Sequence, residues 1–288
     1  TKILTVNSIV MLLSNVALNY CLIFGKGGFP AAGIAGAAIA SSVSEAVSLL
    51  FFIIYTSMTA DKRKYGFRRA FTLRPHLLKG MLSISGWTMV QSFISVSIWF
   101  IFFLAIEHLG ERPLAVTNIV RNISALLIMV ISAFATTAGA LISNQIGAGE
   151  KRCLFKTCGM TLKLTYAILI PLLIILCLFP ESVLRAFTDS PSLIAASVNS
   201  VYVMASSTLI MAPSFILFNA VSGTGNTRAG FIMEMISLAV YTAVIYYGII
   251  RLKPDVALCW FSEHVYGVTL IFLAWWYLKS GKWRGKKV

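Results

Sequence analysis

Long, nearly uncharged apolar runs, separated by short polar connectors, restrict this chain more than any other feature. They fall at about 3–24, 35–58, 84–107, 114–146, 160–179, 194–220, 229–250 and 262–278. A helix of about 20 apolar residues crosses the hydrocarbon core of a bilayer, so each run is long enough to span. The runs are continuously apolar, whereas barrel strands alternate over about ten residues. A helix also satisfies its own backbone hydrogen bonds in lipid. The expected fold is all-α, a polytopic membrane bundle of eight transmembrane helices. Composition excludes the main competitor. Of 288 residues, 58% are hydrophobic and 12% charged, against about 25% charged in a soluble domain. Too little polar surface exists to cover a water-soluble globule.

The chain carries 24 Lys+Arg against 10 Asp+Glu, a balance that in a soluble protein points to nucleic acid. Sorted by connector, the charge has another meaning. Eighteen basic residues lie on one side, chiefly Lys62, Arg63, Lys64, Arg68, Arg69, Arg74, Lys151, Arg152 and the tail from Lys279. Lys26, Arg112, Arg185, Arg251 and Lys253 lie on the other, and Arg121 falls inside a run. The positive-inside rule then places both ends of this chain in the cytoplasm of a plasma (inner) membrane, with no nucleic-acid partner implied. The longest polar stretch, DKRKYGFRRAFTLRP, divides the chain. Residues 1–59 hold two helices, 60–83 a cytoplasmic linker with an amphipathic segment expected along the membrane surface, 84–279 six helices, and 280–288 a basic cytoplasmic tail.

Ionisable side chains at membrane depth are functional candidates by default. Glu45 lies about ten residues into the second span, one helical turn from Ser41. A carboxylate beside a hydroxyl suits proton or cation binding, and equally suits a hydrated packing role. Arg121 is read as snorkelling to the surface or pairing with Glu107 or Glu111. Asn118 and Asn122, one turn apart, either line a cavity or act as interhelical glue. Glu234, near the start of its span, is read as solvated at the interface. Ser262-Glu263 echoes Ser44-Glu45, a weak sign of a repeat. The five cysteines are scattered, and Cys153-x4-Cys158 lacks further ligands, so neither disulfides nor a structural metal is expected. No HExxH, GxSxG or Walker A pattern occurs, and an enzyme is not expected.

Four stretches carry a family likeness. Asn19-Tyr20-Cys-Leu-Ile-Phe-Gly25, with Gly28-Phe29-Pro30 and Ala35-Gly36-Ala37-Ala38, is the first. Leu114-Ala115-Val-Thr-Asn118-Ile119-Val-Arg-Asn122-Ile123 is the second. Ile146-Gly147-Ala148-Gly149-Glu150 and Val221-Ser-Gly223-Thr-Gly225-Asn226-Thr227-Arg228 complete the set. In this order and spacing they resemble the multidrug and toxic compound extrusion (MATE) family of cation-coupled antiporters. The resemblance implies that the eight spans are the family's helices five to twelve, with four earlier ones outside this chain. It further implies a monomeric exporter of small amphipathic or cationic compounds, working by alternating access and exchanging them for Na+ or H+. No cofactor besides the coupling ion is implied. A lipid-linked saccharide flippase of related fold is the alternative, and would need more cations facing its cavity than Arg121.

Residue by residue, Asn19 and Ser41 match two cation-ligand positions of family members, and Glu45 joins them as an ion-coupling candidate. Gln91 matches the glutamine of a helix-seven motif whose glycine and proline are Ser85 and Trp87 here. Ser95 stands where many members carry a glutamate, and no carboxylate falls in the sixth span. A cation site of the family's type is therefore not expected in the last six helices. Gln91, Trp99, Asn118, Asn122 and Asn219 are the substrate-cavity candidates, in a setting of apolar, aromatic and methionine side chains that suits promiscuous binding.

Overall fold

A computed structural model of the protein describes residues 2–60, 75–150, 153–281 and 283, apart from the side chains of residues 83 and 84. The basic linker (61–74), Lys151, Arg152 and most of the tail lie outside the described residues. The chain divides at Pro75 into two compact units.

The first unit is a hairpin of α1 (Lys2–Phe24) and α2 (Gly33–Thr59). The sequence brings the two backbones together with small residues. Gly36 and Ala40 are buried, and a Cβ on Gly36 would strike the Leu22 carbonyl of α1. Outward, Leu12, Leu13, Ile53 and Ile54 are exposed, as a lipid solvent allows.

The second unit comprises α3 (Pro75–Glu107), α4 (Glu111–Gly147), α5 (Leu154–Leu178), α6 (Pro180–Leu184), α7 (Pro191–Gly223), α8 (Thr227–Val244), α9 (Val256–Cys259) and α10 (Phe261–Ser280). A π-helical turn, Ile245–Arg251, prolongs α8. Among the described residues eight helical stretches, counting α8 with its π turn and α9 with α10, are long and apolar enough to cross a bilayer. The segment from Pro75 is helical and continuous with the rest of α3. At 37 and 33 residues, α4 and α7 are roughly 50 Å long at 1.5 Å per residue, well beyond the minimal span.

The central pair is α4 and α7. They cross where Gly139 meets Gly223: a Cβ on Gly139 would lie 2.9 Å from the Asn219 carbonyl oxygen, and one on Gly223 would collide with the Gly139 carbonyl. Along this pair α5 adds Leu169 and Leu173 to Ile131, Val201 and Met204 in one cluster, and α10 packs Leu270 and Ala274 against Ile216 and Ala220 in another. Asn226 caps α8 by accepting from the Ala229 amide, while its Nδ2 donates to the Tyr277 hydroxyl, fastening the start of α8 to the end of α10. The outer edge is α3, which reaches the bundle through large side chains. Phe102 and Ile106 are buried with Tyr241, Ile245 and Ile249.

Candidate functional site

Where α3, α4, α7, α8 and α10 converge, they line a cavity of about 260 Å³. Its wall is largely apolar and aromatic: Trp99 from α3, Ile128 from α4, Met211 and Phe215 from α7. Two carboxyl groups open into it, Glu234 from α8 and Glu263 from α10.

Spacing explains the arrangement. On α8, Glu234, Leu238 and Tyr241 recur at i, i+4 and i+7, so they share one face. On α10, Glu263 and Tyr266 are three apart and share another. The two helices pack together, and the tyrosines cross between them. Tyr266 donates its hydroxyl to Glu234 Oε1 at 2.9 Å, and Tyr241 donates to Glu263 Oε1 at 2.8 Å. The tyrosine rings meet edge to face, 5.8 Å apart at 67°. A third hydroxyl, Ser95 Oγ on α3, donates to Glu234 Oε1 at 2.8 Å. Glu234 is only 4% exposed, and its second oxygen, Oε2, is buried with no partner.

This geometry corrects the reading of Glu234 as a solvated interfacial residue. It also answers the absence of a carboxylate at position 95: the serine there faces a carboxylate that arrives from α8. Arg121 pairs with neither Glu107 nor Glu111 among the described contacts. Its guanidinium lies 6.0 Å from the Trp99 ring and 5.1 Å from the Phe103 ring, within cation–π range.

Of the five cavity candidates, Trp99 lines this space. Gln91, Asn118 and Asn219 are half-buried and Asn122 is exposed; none of these four lines it. The Asn219 amide is turned back on its own helix, donating to the Phe215 carbonyl at 2.9 Å.

The ion-coupling candidates belong to the first unit, where a polar seam runs between α1 and α2. Asn7 donates to Ser48 Oγ at 2.7 Å, and Asn15 donates to Ser44 Oγ at 3.1 Å and, at longer range, to Ser41 Oγ at 3.4 Å. Asn19 donates to Asn15 Oδ1 at 2.8 Å, so Asn15 links Asn19 to Ser41. Asn19 Oδ1 and Asn7 Oδ1 are buried without partners. Glu45 is exposed. Asn7, Asn15 and Ser48, not singled out from sequence, share the spacing of Asn19 and Ser41 along the same faces.

The chain resembles known proteins over most of its length. A probable multidrug resistance protein NorM of Thermotoga maritima is 26% identical over 291 residues, covering 95% of this chain and 59% of the relative. An uncharacterized transporter, YisQ, of Bacillus subtilis is 25% identical, covering 80% of this chain and 50% of its own. The chain thus spans little more than half the length of these relatives. Its fold matches an outward-facing multidrug resistance MATE family transporter of the MOP superfamily, with a TM-score of 0.82 at 16% identity, over 96% of this chain and 61% of that one. It likewise matches the MATE transporter ClbM in complex with Rb+, with a TM-score of 0.74 at 19% identity, over 98% and 62%. The MatE family model covers residues 88–247, more than half of the sequence and all of the helices from mid-α3 through α8. This chain belongs to the MatE family, whose relatives found here are transporters and not enzymes.

Proposed function

We propose that the protein exports compact amphipathic cations across the plasma membrane by alternating access, in exchange for Na+ or H+. The observation that carries this reading is the acidic, aromatic cavity of the second unit. Aromatic faces attract a cation through the ring quadrupole, more strongly when water is excluded, and a nearby carboxylate supplies the opposing charge. Concave apolar pockets with a few placed polar groups are the usual form of small-molecule sites. The chemistry disfavours a flippase for lipid-linked saccharides, because a pyrophosphate would face Glu234 and Glu263 while Arg121 is engaged with Trp99 and Phe103.

In this proposal both ends of the chain are cytoplasmic, the transporter works as a monomer, and the bilayer is its solvent. Exchange needs two arrangements of the helices that expose the cavity to opposite sides in turn, each biased by what is bound. Asn19, Ser41 and Glu45 provide a further candidate position for the coupling ion. Gln91, Asn118, Asn122 and Asn219 are candidates for substrate contact outside the described cavity.

The test is transport by the protein expressed from its gene and reconstituted into liposomes. Radiolabelled tetraethylammonium, whose charge does not titrate, should move against an imposed inward Na+ or H+ gradient applied separately. Collapse of the gradient should abolish the flux. Flux indifferent to both gradients would refute exchange, and movement of a lipid-linked saccharide instead would favour the flippase.

A further inference from the structure

Apart from the acidic cavity, a groove of about 350 Å³ lies between the C-terminal part of α4 and the N-terminal part of α5. Phe134, Leu141 and Gln145 share one face of α4, at i, i+7 and i+11, and Thr157, Met160 and Leu164 share one face of α5, at i, i+3 and i+7. Two further lining threonines turn their hydroxyls back on their own helices. Thr137 donates to the Ala133 carbonyl at 2.7 Å and Thr161 to the Thr157 carbonyl at 2.9 Å, so the groove wall there is apolar. Its polar end lies where the two helices approach their connector. There Thr157 Oγ1 donates to Gln145 Oε1 at 2.9 Å. That bond fixes the amide and leaves its NH2 group without a partner among the described residues.

Positive charge gathers at the same end. Lys156 and Lys163 stand at i and i+7 on α5, one on each side of Met160, and both are exposed. Neither forms an ion pair among the described residues. Lys163 is the more telling of the two. It stands nine residues into a spanning helix, about 14 Å along it at 1.5 Å per residue, a depth at which a bare ammonium is costly. Its long stem allows it to climb toward the headgroups, where an anion would receive it. The connector into α5 adds Lys151 and Arg152 against Glu150. An acyl chain suits the groove, and the lysines suit a negatively charged headgroup. A zwitterionic headgroup would bring its own ammonium against them.

We propose that the α4–α5 groove is a binding site for an anionic glycerophospholipid. One acyl chain lies along Phe134, Leu141 and Leu164. The phosphate is bracketed by Lys156 and Lys163, and the Gln145 amide donates to the phosphate or to an ester carbonyl. Juxtamembrane lysines attract anionic lipid wherever they occur; what distinguishes this place is a groove between two spans that ends at an amide with free donors. Its assignment to the cytoplasmic leaflet rests on the orientation proposed above, whereas the headgroup preference does not.

The experiment is native mass spectrometry of the delipidated protein, expressed from its gene and titrated in detergent with phosphatidylglycerol or with phosphatidylcholine of the same acyl chains. The first phosphatidylglycerol should bind about tenfold or more tightly than the first phosphatidylcholine. Replacing both lysines, Lys156→Gln with Lys163→Gln, should remove that preference and leave phosphatidylcholine binding as it was. Leu141→Trp, which fills the groove, should weaken both lipids by about tenfold. Lys2→Gln with Lys279→Gln, two basic residues elsewhere on the same side of the membrane, should leave the preference intact.

Equal affinity for the two lipids would overturn the proposal, as would a preference that survives loss of both lysines. Undiminished binding in Leu141→Trp would mean that the groove is covered by another part of the protein, and would overturn it as well. If Leu141→Trp does not fold, Met160→Trp, at an exposed position, serves in its place with the same expected loss. Soluble sn-glycerol 1-phosphate should fail to displace the bound phosphatidylglycerol; displacement at comparable concentration would assign the lysines to free phosphate and refute a lipid site. The leaflet is tested separately. Lys156→Cys should be protected from an impermeant maleimide in intact cells, and labelling there would move the site to the outer leaflet without touching its headgroup preference.

Discussion

Substituting alanine for glycine at the α4–α7 crossing should destabilise the fold, although the same substitution in an unconfined helix stabilises it. A Cβ on Gly139 would sit 2.9 Å from the Asn219 carbonyl oxygen, at least 0.5 Å inside the 3.4 Å lower limit of ordinary contact. The obstacle is backbone, so the long helices themselves must move apart. Overpacking of this kind costs about 1–3 kcal/mol. Against it stands the intrinsic preference of helices for alanine over glycine, about 0.8–1 kcal/mol. Gly159 in α5 provides the control, since nothing lies within 4 Å of its added Cβ. The intrinsic preference cancels between the two variants, leaving a difference of about 1–3 kcal/mol. At about 2–4 °C per kcal/mol for domains of 150–250 residues, Gly139→Ala should melt roughly 2–12 °C below Gly159→Ala. Thermal unfolding in detergent, followed by a maleimide dye reacting with Cys158 and Cys259, both buried, reads this difference. Equal melting of the two variants would refute the argument that α4 and α7 are held at backbone contact.

Tyr266→Phe removes one of the two hydroxyls donated to Glu234 and should lower stability by about 1–3 kcal/mol; an unchanged melting curve would show that hydrogen bond to be inert. Trp283, 3% exposed beyond the end of α10 and bonded through Nε1 to the Leu278 carbonyl at 2.9 Å, is part of the packed core, so Trp283→Ala should cost about 3–5 kcal/mol, and a loss below 1 kcal/mol would contradict that packing. For orientation, cysteines replacing Lys26 and Lys253 should react with a membrane-impermeant maleimide in intact cells while cysteines at positions 2 and 279 should not, and the reverse pattern would invert the proposed topology.

The spans were legible because each is a long apolar run, and lipid leaves such a run few structures other than a helix. Their ends were less so. The first turns of α3 mix Lys79 with leucines, and the backbone continues from them without a break into the span. The acidic cavity was hidden for a different reason. Glu234 and Glu263 each sit near the start of a span, and weighed singly each suggests an interface. Their partners lie far along the chain, Tyr266 being 32 residues from Glu234 and Tyr241 22 residues from Glu263. The antiparallel crossing that joins them has no local signature. A faint signal did exist in the matched glutamate–tyrosine spacings, i to i+7 on α8 and i to i+3 on α10. Position 95 shows the limit most clearly. Its serine looked like a lost carboxylate, whereas its hydroxyl donates to one supplied by another helix. In the first unit, Asn19 and Ser41 were visible through resemblance, but Asn15, which links them, was not.

Equilibrium binding of radiolabelled tetraethylammonium to the purified protein bears most directly on whether the acidic, aromatic cavity receives a cation. Wild-type protein should bind it saturably, and Glu234→Gln or Glu263→Gln should weaken binding by at least about tenfold, the equivalent of 1.4 kcal/mol. Undiminished binding in both folded variants, or none in the wild type, would contradict the assignment of this cavity as the transport site.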